Sequence, residues 1–250
     1  MSTVAPVIIE TIKELQNLPS LSNFALAGGT NLAYKFNHRE SIDIDLFCNS
    51  IIGIKAFEQI EKEVIAFYGA DLISGLDYPL KETDQFIFLR FWVKKPGGLI
   101  KVEVIQNMLT LHDIEEINGI KLIDLKDIGT YKLLSASSRG AKKDIYDLDF
   151  ITDTIDIIDL FEELKEKRKI FNKPEHRNIF DLDGDECPTT NPLLLLNFDH
   201  KITVKGIKPI HSHDNIVITE NAKSWHAASS SWRMKVRKLF RHLNIEYPNH

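Results

Sequence analysis

The run Ser-Ile-Asp-Ile-Asp-Leu-Phe at residues 41–47 places two carboxylates, Asp43 and Asp45, two positions apart in a strand-like segment. Side chains alternate between the faces of a strand, so both carboxylates project from one face, with Cα atoms roughly 6.6 Å apart. Carboxylates at this spacing can bind two metal ions about 3.5–4 Å apart, as enzymes of phosphoryl transfer do. The alternative interpretation is an edge strand with a solvated polar face.

A glycine turn lies shortly before this strand. Gly28, Gly29 and Thr30 stand between a strand-like run, FALAG, and the start of a helix. Backbone amides at such a turn and helix N-terminus bind anions, and the Thr30 hydroxyl is available to a phosphate oxygen. The sequence therefore predicts a phosphate site beside the acidic pair.

A third carboxylate is expected from a neighbouring strand. The run LIKVEVI carries Glu103 on the same strand face as Lys101 and Ile105. Beside Asp43 and Asp45, this carboxylate is a metal ligand or a general base that takes the proton of an attacking hydroxyl. The alternative is a surface residue on a half-buried strand.

Further polar residues lie on two predicted helices, which begin at Leu125 and Lys142. Lys132 falls on an apolar stripe of the first helix, where an unpaired ammonium is costly, so a nearby anion is expected. The alternative is a lysine whose amine extends to the solvent. Asp144 and Asp147 are three residues apart on the second helix and point to the same, inward side.

The surrounding pattern alternates strand-like and helical runs. Helices are predicted over residues 4–18, 29–36 and 54–67, and a hairpin is predicted at Pro96-Gly97-Gly98, between the strand-like runs QFIFLRFWVKK and LIKVEVIQ. The character changes near Ile155, where a charged helix and then a segment rich in Asn, Pro, Asp and Thr follow. We therefore divide the chain into residues 1–155 and a mainly helical C-terminal region, residues 156–250.

Composition limits the classes of protein. The chain has 250 residues with 43% hydrophobic and 27% charged side chains and a net charge of −5, which is typical of a globular protein. It has no apolar run long enough to span a membrane and no signal-like start, and two cysteines, Cys48 and Cys187, cannot form a disulfide framework. We expect a cytoplasmic protein with no membrane partner.

The segment SSSWRMKVRKLFRHL predicts a C-terminal amphipathic helix. Its apolar side carries Trp232, Val236, Leu239, Phe240 and Leu243, and its remaining positions carry Arg233, Lys235, Arg237, Lys238 and Arg241. A local basic surface on an acidic protein is suited to contact an RNA backbone. A solvated amphipathic helix is the alternative.

Together, these motifs resemble a known family. The run GGTNLAYKFNHRESIDIDLF is similar to the Gly-Gly-Thr, spacer, Arg-x-Ser-x-Asp-x-Asp signature of AbiEii-type toxin nucleotidyltransferases, within the DNA polymerase β-like superfamily. The later run YKLLSASSRGAKKDIYDL matches the family's helix-borne Lys and Asp-x-x-Asp-Leu, with Lys132, Asp144 and Asp147. The resemblance covers about residues 20–150. In one departure, Glu103 stands where superfamily members often carry Asp.

The resemblance implies an α+β nucleotidyltransferase fold, with a mixed sheet flanked by helices, and transfer of a nucleotidyl group from an NTP to a hydroxyl. It implies a triphosphate site at Gly28, Gly29, Thr30, Arg39 and Lys132, with Ser41 beside it, two Mg²⁺ ions on Asp43, Asp45 and Glu103, and an active site completed by Asp147. Related toxins modify the acceptor end of tRNA, so it also implies a tRNA substrate, growth arrest and a cognate antitoxin.

Two other functions agree with the sequence. One is a small-molecule nucleotidyltransferase of the aminoglycoside-modifying kind, against which the basic C-terminal helix argues. The other is a catalytically silent binding module on the same fold. Three acids together with Lys132 argue against this second function, because a silent copy has no need to keep such costly residues together.

Overall fold

The computed structural model describes residues 3–182, 186–198 and 215–248. The chain forms two compact units. The first unit contains Met1–Asp124 and Lys173–Ile179, and the second contains Leu125–Asn172 and Phe180–His250. This division falls after Asp124, whereas the change in composition that suggests a domain boundary falls near Ile155.

The first unit is built on one sheet of seven strands. These are β1 (Ala25–Leu26), β2 (Ile44–Phe47), β3 (Ile73–Lys81), β4 (Ile87–Lys95), β5 (Gly98–Ile105), β6 (Glu115–Ile117) and β7 (Ile120–Leu122). Their order in the sheet is β3-β4-β5-β2-β1-β7-β6. The β2–β5 and β1–β7 pairs are parallel and the other pairs are antiparallel. The predicted α+β class with a mixed sheet is confirmed.

Helices of the first unit cover one face of this sheet. They are α1 (Pro6–Gln16), α2 (Gly28–Phe36) and α3 (Gly53–Tyr68), with short 3₁₀ helices at Pro19–Leu21, Ala70–Leu72 and Pro174–His176. Apolar side chains at every second position of β2, β4 and β5 are buried with those of α1 and α3. The opposite side-chain set of the same strands carries Asp45, Glu103 and Arg90. The two-residue period of a strand therefore separates a core face from a polar face.

The sequence did not predict three of these strands. Strand β3 contains Gly75, Asp77 and Pro79, which are poor strand formers, and it is tolerated because it lies at the edge of the sheet. Strands β6 and β7 have three residues each and join through Asn118-Gly119, both at positive φ. The strand predicted at residues 41–47 begins only at Ile44, and Ile42, which precedes it, is 63% exposed.

The second unit is helical. It contains α4 (Leu125–Arg139), α5 (Lys142–Thr154), α6 (Ile157–Ile170), α7 (Trp225–His242) and a short 3₁₀ helix at Pro192–Leu196, and a further 3₁₀ turn, Ile179–Asp181, spans the division. Helix α5 packs against α4 and α7, and the predicted apolar side of α7 is buried at Trp232, Val236, Leu239 and Phe240. None of the helices in the described part of the chain is long and apolar enough to cross a membrane.

Candidate active site

Three carboxylates lie together on the polar face of the sheet. Asp43 immediately precedes β2, Asp45 lies within it, and Glu103 lies on the adjacent strand β5. In the parallel β2–β5 ladder, Asp45 is directly opposite Glu103. Neighbouring strands are about 4.8 Å apart, so the register brings the third acid next to the pair, as the sequence predicted.

Two basic side chains hold these carboxylates. The Lys101 amine lies 3.4 Å from Asp43 and 3.3 Å from Glu103, and the Arg90 guanidinium lies 2.8 Å from Glu103. Burial alone would raise the pKa of Glu103, but Lys101 and Arg90 outweigh it and hold that pKa below its usual value. Burial opposes the charge of Lys101, but Glu103, Asp43 and Asp45 raise its pKa above the usual value. Glu103 and Lys101 are therefore both ionised at neutral pH.

The glycine turn brings the acidic pair against the N-terminus of α2. Gly28 has a φ of +62°, and a Cβ atom there would overlap the carboxylate of Asp45. A Cβ atom on Gly29 would overlap the guanidinium of Arg39 and would lie 3.3 Å from the Ser41 hydroxyl. Both positions need glycine because the side chains of Asp45 and Arg39 occupy the space of the missing Cβ. A carboxylate and a guanidinium therefore lie at a helix start that has no side-chain cap.

The side chain of Thr30 links this turn to the segment before β2 by hydrogen bonds. Its side chain is buried, and its hydroxyl donates to the carbonyl of Asp43 and lies 2.8 Å from the Ser41 hydroxyl. These contacts fix the segment that carries Ser41 and Asp43. The Thr30 hydroxyl is thus hydrogen-bonded within the protein, whereas the sequence suggested that it was available to a phosphate oxygen.

In the second unit, Lys132 lies between two fully buried acids. Its amine is 2.9 Å from Asp144 and 2.7 Å from Asp147, and Arg139 also binds Asp144 through Nε at 2.6 Å and Nη2 at 2.9 Å. Burial would raise the pKa of Asp144, but Lys132 and Arg139 lower it to about 2. The anion expected near Lys132 is therefore present within the protein, as the pair of aspartates.

The chain is similar to known proteins. The family model described as "Nucleotidyl transferase AbiEii toxin, Type IV TA system" matches residues 12–234. The chain belongs to this AbiEii family. It is a toxin nucleotidyltransferase of a type IV toxin-antitoxin system, which implies a nucleotide substrate and an antitoxin partner.

Two individual proteins are similar to this AbiEii-family chain. Protein aq_aa25 of Aquifex aeolicus (strain VF5) is 29% identical over 170 residues, which cover 68% of this chain and 74% of that protein. The solved structure of MenT4, a nucleotidyltransferase toxin of Mycobacterium tuberculosis H37Rv, aligns with a TM-score of 0.51 at 17% identity. That alignment covers 96% of this chain and 84% of MenT4 and shows a shared fold.

The acids of the first unit fit the divalent cations that this family implies. Asp43, Asp45 and Glu103 offer only oxygen atoms, the ligands that Mg²⁺ prefers. The Lys101 amine, in contact with two of them, shows that their geometry already accommodates a positive charge at one point. The donor set and its charge therefore suit a hard cation.

Sequence reasoning missed three members of these clusters. Arg90 pairs with Glu103, Lys101 contacts two of the acids, and Arg139 binds Asp144. Only Lys101 had a local signal, because it shares a strand face with Glu103 two residues away. The other two become visible only when the β4–β5 and α4–α5 packing is known.

The basic residues of α7 are less available than the sequence suggested. Lys235 lies 2.7 Å from both Asp149 and Asp153, and Lys238 pairs with Asp156. Arg233 lies over the ring of Phe198. These contacts attach α7 to its own unit. They reduce the positive charge that it offers to a nucleic acid.

Proposed function

We propose that this AbiEii-family protein transfers a nucleotidyl group from an NTP to a hydroxyl at the 3′ end of tRNA, with two Mg²⁺ ions held by Asp43, Asp45 and Glu103. One observation carries the proposal: the Asp45 carboxylate lies against the Gly28 position, at the N-terminus of α2. The proposed cation site and the proposed phosphate site would thus be adjacent. That juxtaposition suits a nucleoside triphosphate, which brings both phosphate and bound magnesium.

The residues of the first unit suit the individual steps. Amides at the start of α2 and the Arg39 guanidinium would hold the triphosphate, with Ser41 beside them. The acceptor oxygen attacks the α-phosphorus, the bond from that phosphorus to the β-phosphate bridging oxygen breaks, and pyrophosphate leaves. Bound Mg²⁺ would stabilise the charge that develops on the phosphate oxygens. Glu103, ionised at neutral pH, serves as a ligand or accepts the proton of the attacking hydroxyl.

Lys132 and Asp147 are also proposed members of the active site, with Lys132 as a triphosphate ligand. Their motif resembles the family's helix-borne Lys and Asp-x-x-Asp-Leu and lies within the matched residues 12–234, which supports this assignment. The contacts of Lys132 with Asp144 and Asp147 place a charged, ordered amine on α4. Asp144 has a positioning role, because it orients both Lys132 and Arg139. We place the nucleotidyltransferase activity in residues 1–155, which include all of these positions.

A tRNA substrate and a cytoplasmic location are proposed from the toxin family. A toxin that stops growth by nucleotide transfer needs an essential cellular acceptor, and NTPs and tRNA occur together in the cytoplasm. Arg233 and Arg241 of α7 would contribute backbone contacts. The antitoxin would counteract this activity.

The decisive experiment incubates the protein with each labelled NTP, Mg²⁺ and total tRNA. We expect label in tRNA with the wild type and with the control Asp71→Asn, which changes an exposed carboxylate of the same unit. Asp45→Asn removes a metal ligand and is expected to reduce transfer more than about 100-fold while the protein stays folded. Activity within a few-fold of wild type in Asp45→Asn would contradict the two-metal assignment. In a parallel incubation that offers an aminoglycoside in place of tRNA, label in the aminoglycoside together with no label in tRNA would favour the small-molecule enzyme.

A second measurement tests the RNA contacts of α7. Replacing Arg233, Lys238 and Arg241 together is expected to flatten the salt dependence of RNA binding, by about 0.7–0.9 in logarithmic slope for each lost phosphate contact. Lys238 already binds Asp156, so we expect the loss of fewer than three contacts. An unchanged slope would leave α7 without a role in RNA binding.

A further inference from the structure

The polar face of the sheet continues beyond the three acids onto β4. The antiparallel β4–β5 register pairs Arg90 with Glu103 and Trp92 with Lys101. Phe88 is the next residue of β4 on the same face, because strand side chains alternate. All three β4 side chains are partly exposed, while their neighbours Leu89 and Phe91 are fully buried. Two aromatic rings and a guanidinium thus form a partly exposed row, Phe88-Arg90-Trp92.

The indole of Trp92 has a defined position on this face. A Cβ atom on Gly75 of strand β3 would lie 2.5 and 2.6 Å from two atoms of its six-membered ring. The missing side chain of Gly75 therefore lets the ring approach the backbone of β3 closely. At the other end of the row, the Arg90 guanidinium lies 5.6 Å from the centre of the Phe88 ring. These contacts order the row while each residue keeps part of its surface accessible.

The geometry of nucleotide transfer indicates over which strands of this face the acceptor approaches. In the sheet, strand β2 lies between β1 and β5. Strand β1 is followed along the chain by the proposed triphosphate site, and β5 is paired on its other side with β4. The attacking and leaving oxygens lie on opposite sides of the phosphorus in an in-line displacement. Since the triphosphate side is that of β1, the acceptor approaches over β5 and β4. Strand β4 is two strand spacings, or about 10 Å, from β2, so a group on β4 can contact the acceptor near the reacting hydroxyl.

We propose that Trp92, supported by Phe88 and Arg90, is the stacking surface for an unpaired nucleobase at the 3′ end of the RNA acceptor. The proposal deepens the proposed function and rests on it. Single-stranded nucleic acids bind to surfaces that combine exposed aromatic rings with basic side chains, because every base has a face that can stack. Arg90 adds a planar cation that stacks or binds phosphate. A paired or protein acceptor would not match this chemistry.

The first test uses the fluorescence of Trp92. The chain has three tryptophans, Trp92, Trp225 and the fully buried Trp232. In a Trp225→Phe background, Trp92 is the accessible indole, and a short single-stranded oligoribonucleotide with a free 3′-hydroxyl, added with Mg²⁺ and without NTP, should quench it. Each NTP alone is the comparison ligand. Quenching by the RNA supports an acceptor site, whereas quenching only by an NTP, or by neither, overturns it.

The second test compares Trp92→Phe with Trp92→Leu in direct binding of the same labelled RNA. Phe keeps an aromatic face, so its affinity should stay within a few-fold of wild type. Leu keeps apolar volume without a stacking face, and should weaken RNA binding about 5- to 150-fold, the range measured for one stacked base. NTP affinity should be unchanged in both variants. Equal RNA affinity of Leu, Phe and wild type would refute the proposal, and the fluorescence test decides if Trp92→Leu does not fold.

The outcomes separate this proposal from the proposed function. If the wild type binds RNA through Trp92 but transfers no label to tRNA, the proposed function fails and the stacking surface remains. If the wild type labels tRNA and Trp92→Leu labels it with an unchanged KM for tRNA, the stacking surface is wrong and the proposed function remains.

Discussion

Replacing Lys132 with methionine should destabilise the protein even when no nucleotide is present. Methionine keeps most of the volume of the side chain but removes the ammonium that contacts two fully buried carboxylates, Asp144 at 2.9 Å and Asp147 at 2.7 Å. Arg139 still binds Asp144. Removal of one partner from a buried ion pair typically costs about 3–5 kcal/mol, because a charge stays buried with less compensation.

The pKa of Asp144 gives an independent magnitude. It is lowered from 3.8 to about 2, which corresponds to about 2–3 kcal/mol of unfolding free energy at neutral pH. Lys132 and Arg139 share this contribution. Adding the weakened contact of Asp147, we expect Lys132→Met to lower the unfolding free energy at pH 7 by about 3 kcal/mol.

The sign of the pH dependence follows from the same pKa. A lowered folded-state pKa stabilises the wild type above about pH 4–5, and this stabilisation is lost as the pH falls from about 4 towards 2. In the variant, the pKa of Asp144 lies closer to its ordinary value, so less stability is lost over that range. The difference between the two proteins should therefore shrink as the pH falls.

Urea unfolding followed by circular dichroism at several pH values measures this difference. The matched control is Lys165→Met on α6, since Lys165 pairs with Glu162 at the surface and should contribute less than about 1 kcal/mol. If Lys132→Met stays within about 0.5 kcal/mol of wild type at pH 7, the ion pairs do not stabilise the fold, and the reasoning about this cluster is wrong.

Two further predictions concern the first unit. Gly28→Ala should reduce nucleotide transfer at least about tenfold, because the added Cβ atom would overlap the Asp45 carboxylate. The control is Gly119→Ala, which also has a positive φ but has no atom within 4 Å of the added Cβ, and it should keep its activity. Equal transfer rates in the two variants would contradict the argument that the added Cβ atom disturbs Asp45. Lys101→Met should tighten Mn²⁺ binding several-fold, because it removes a cation from two of the three acids. The control variant Lys94→Met changes an exposed lysine and should leave Mn²⁺ binding unchanged. Electron paramagnetic resonance of free Mn²⁺ measures both affinities, and weaker binding in Lys101→Met would contradict the role of Lys101 as a competing cation.

Elements with a strong local pattern could be predicted from the sequence. Helices α1, α2 and α3, the first residues of α4 and α5, and the β4–β5 hairpin were expected within a few residues of where they are observed. Strand β3 could not, because Gly75, Asp77 and Pro79 argue against a strand and only its edge position permits them. The β6–β7 hairpin did have a local signal, Asn118-Gly119, which is typical of a two-residue turn; the short strands beside it concealed the signal.

The candidate site, like the fold, could be predicted only in part from the sequence. The motif at residues 41–45 and the strand pattern around Glu103 indicated by themselves which side chains could share a polar face, because spacing along a strand decides which side chains lie on one face. Only the tertiary structure decided that Asp45 stands opposite Glu103, that Arg90 and Lys101 neutralise these acids, and which partners Lys132 has. These contacts depend on strand register and helix packing between residues far apart in the chain, and local periodicity carries no information about either.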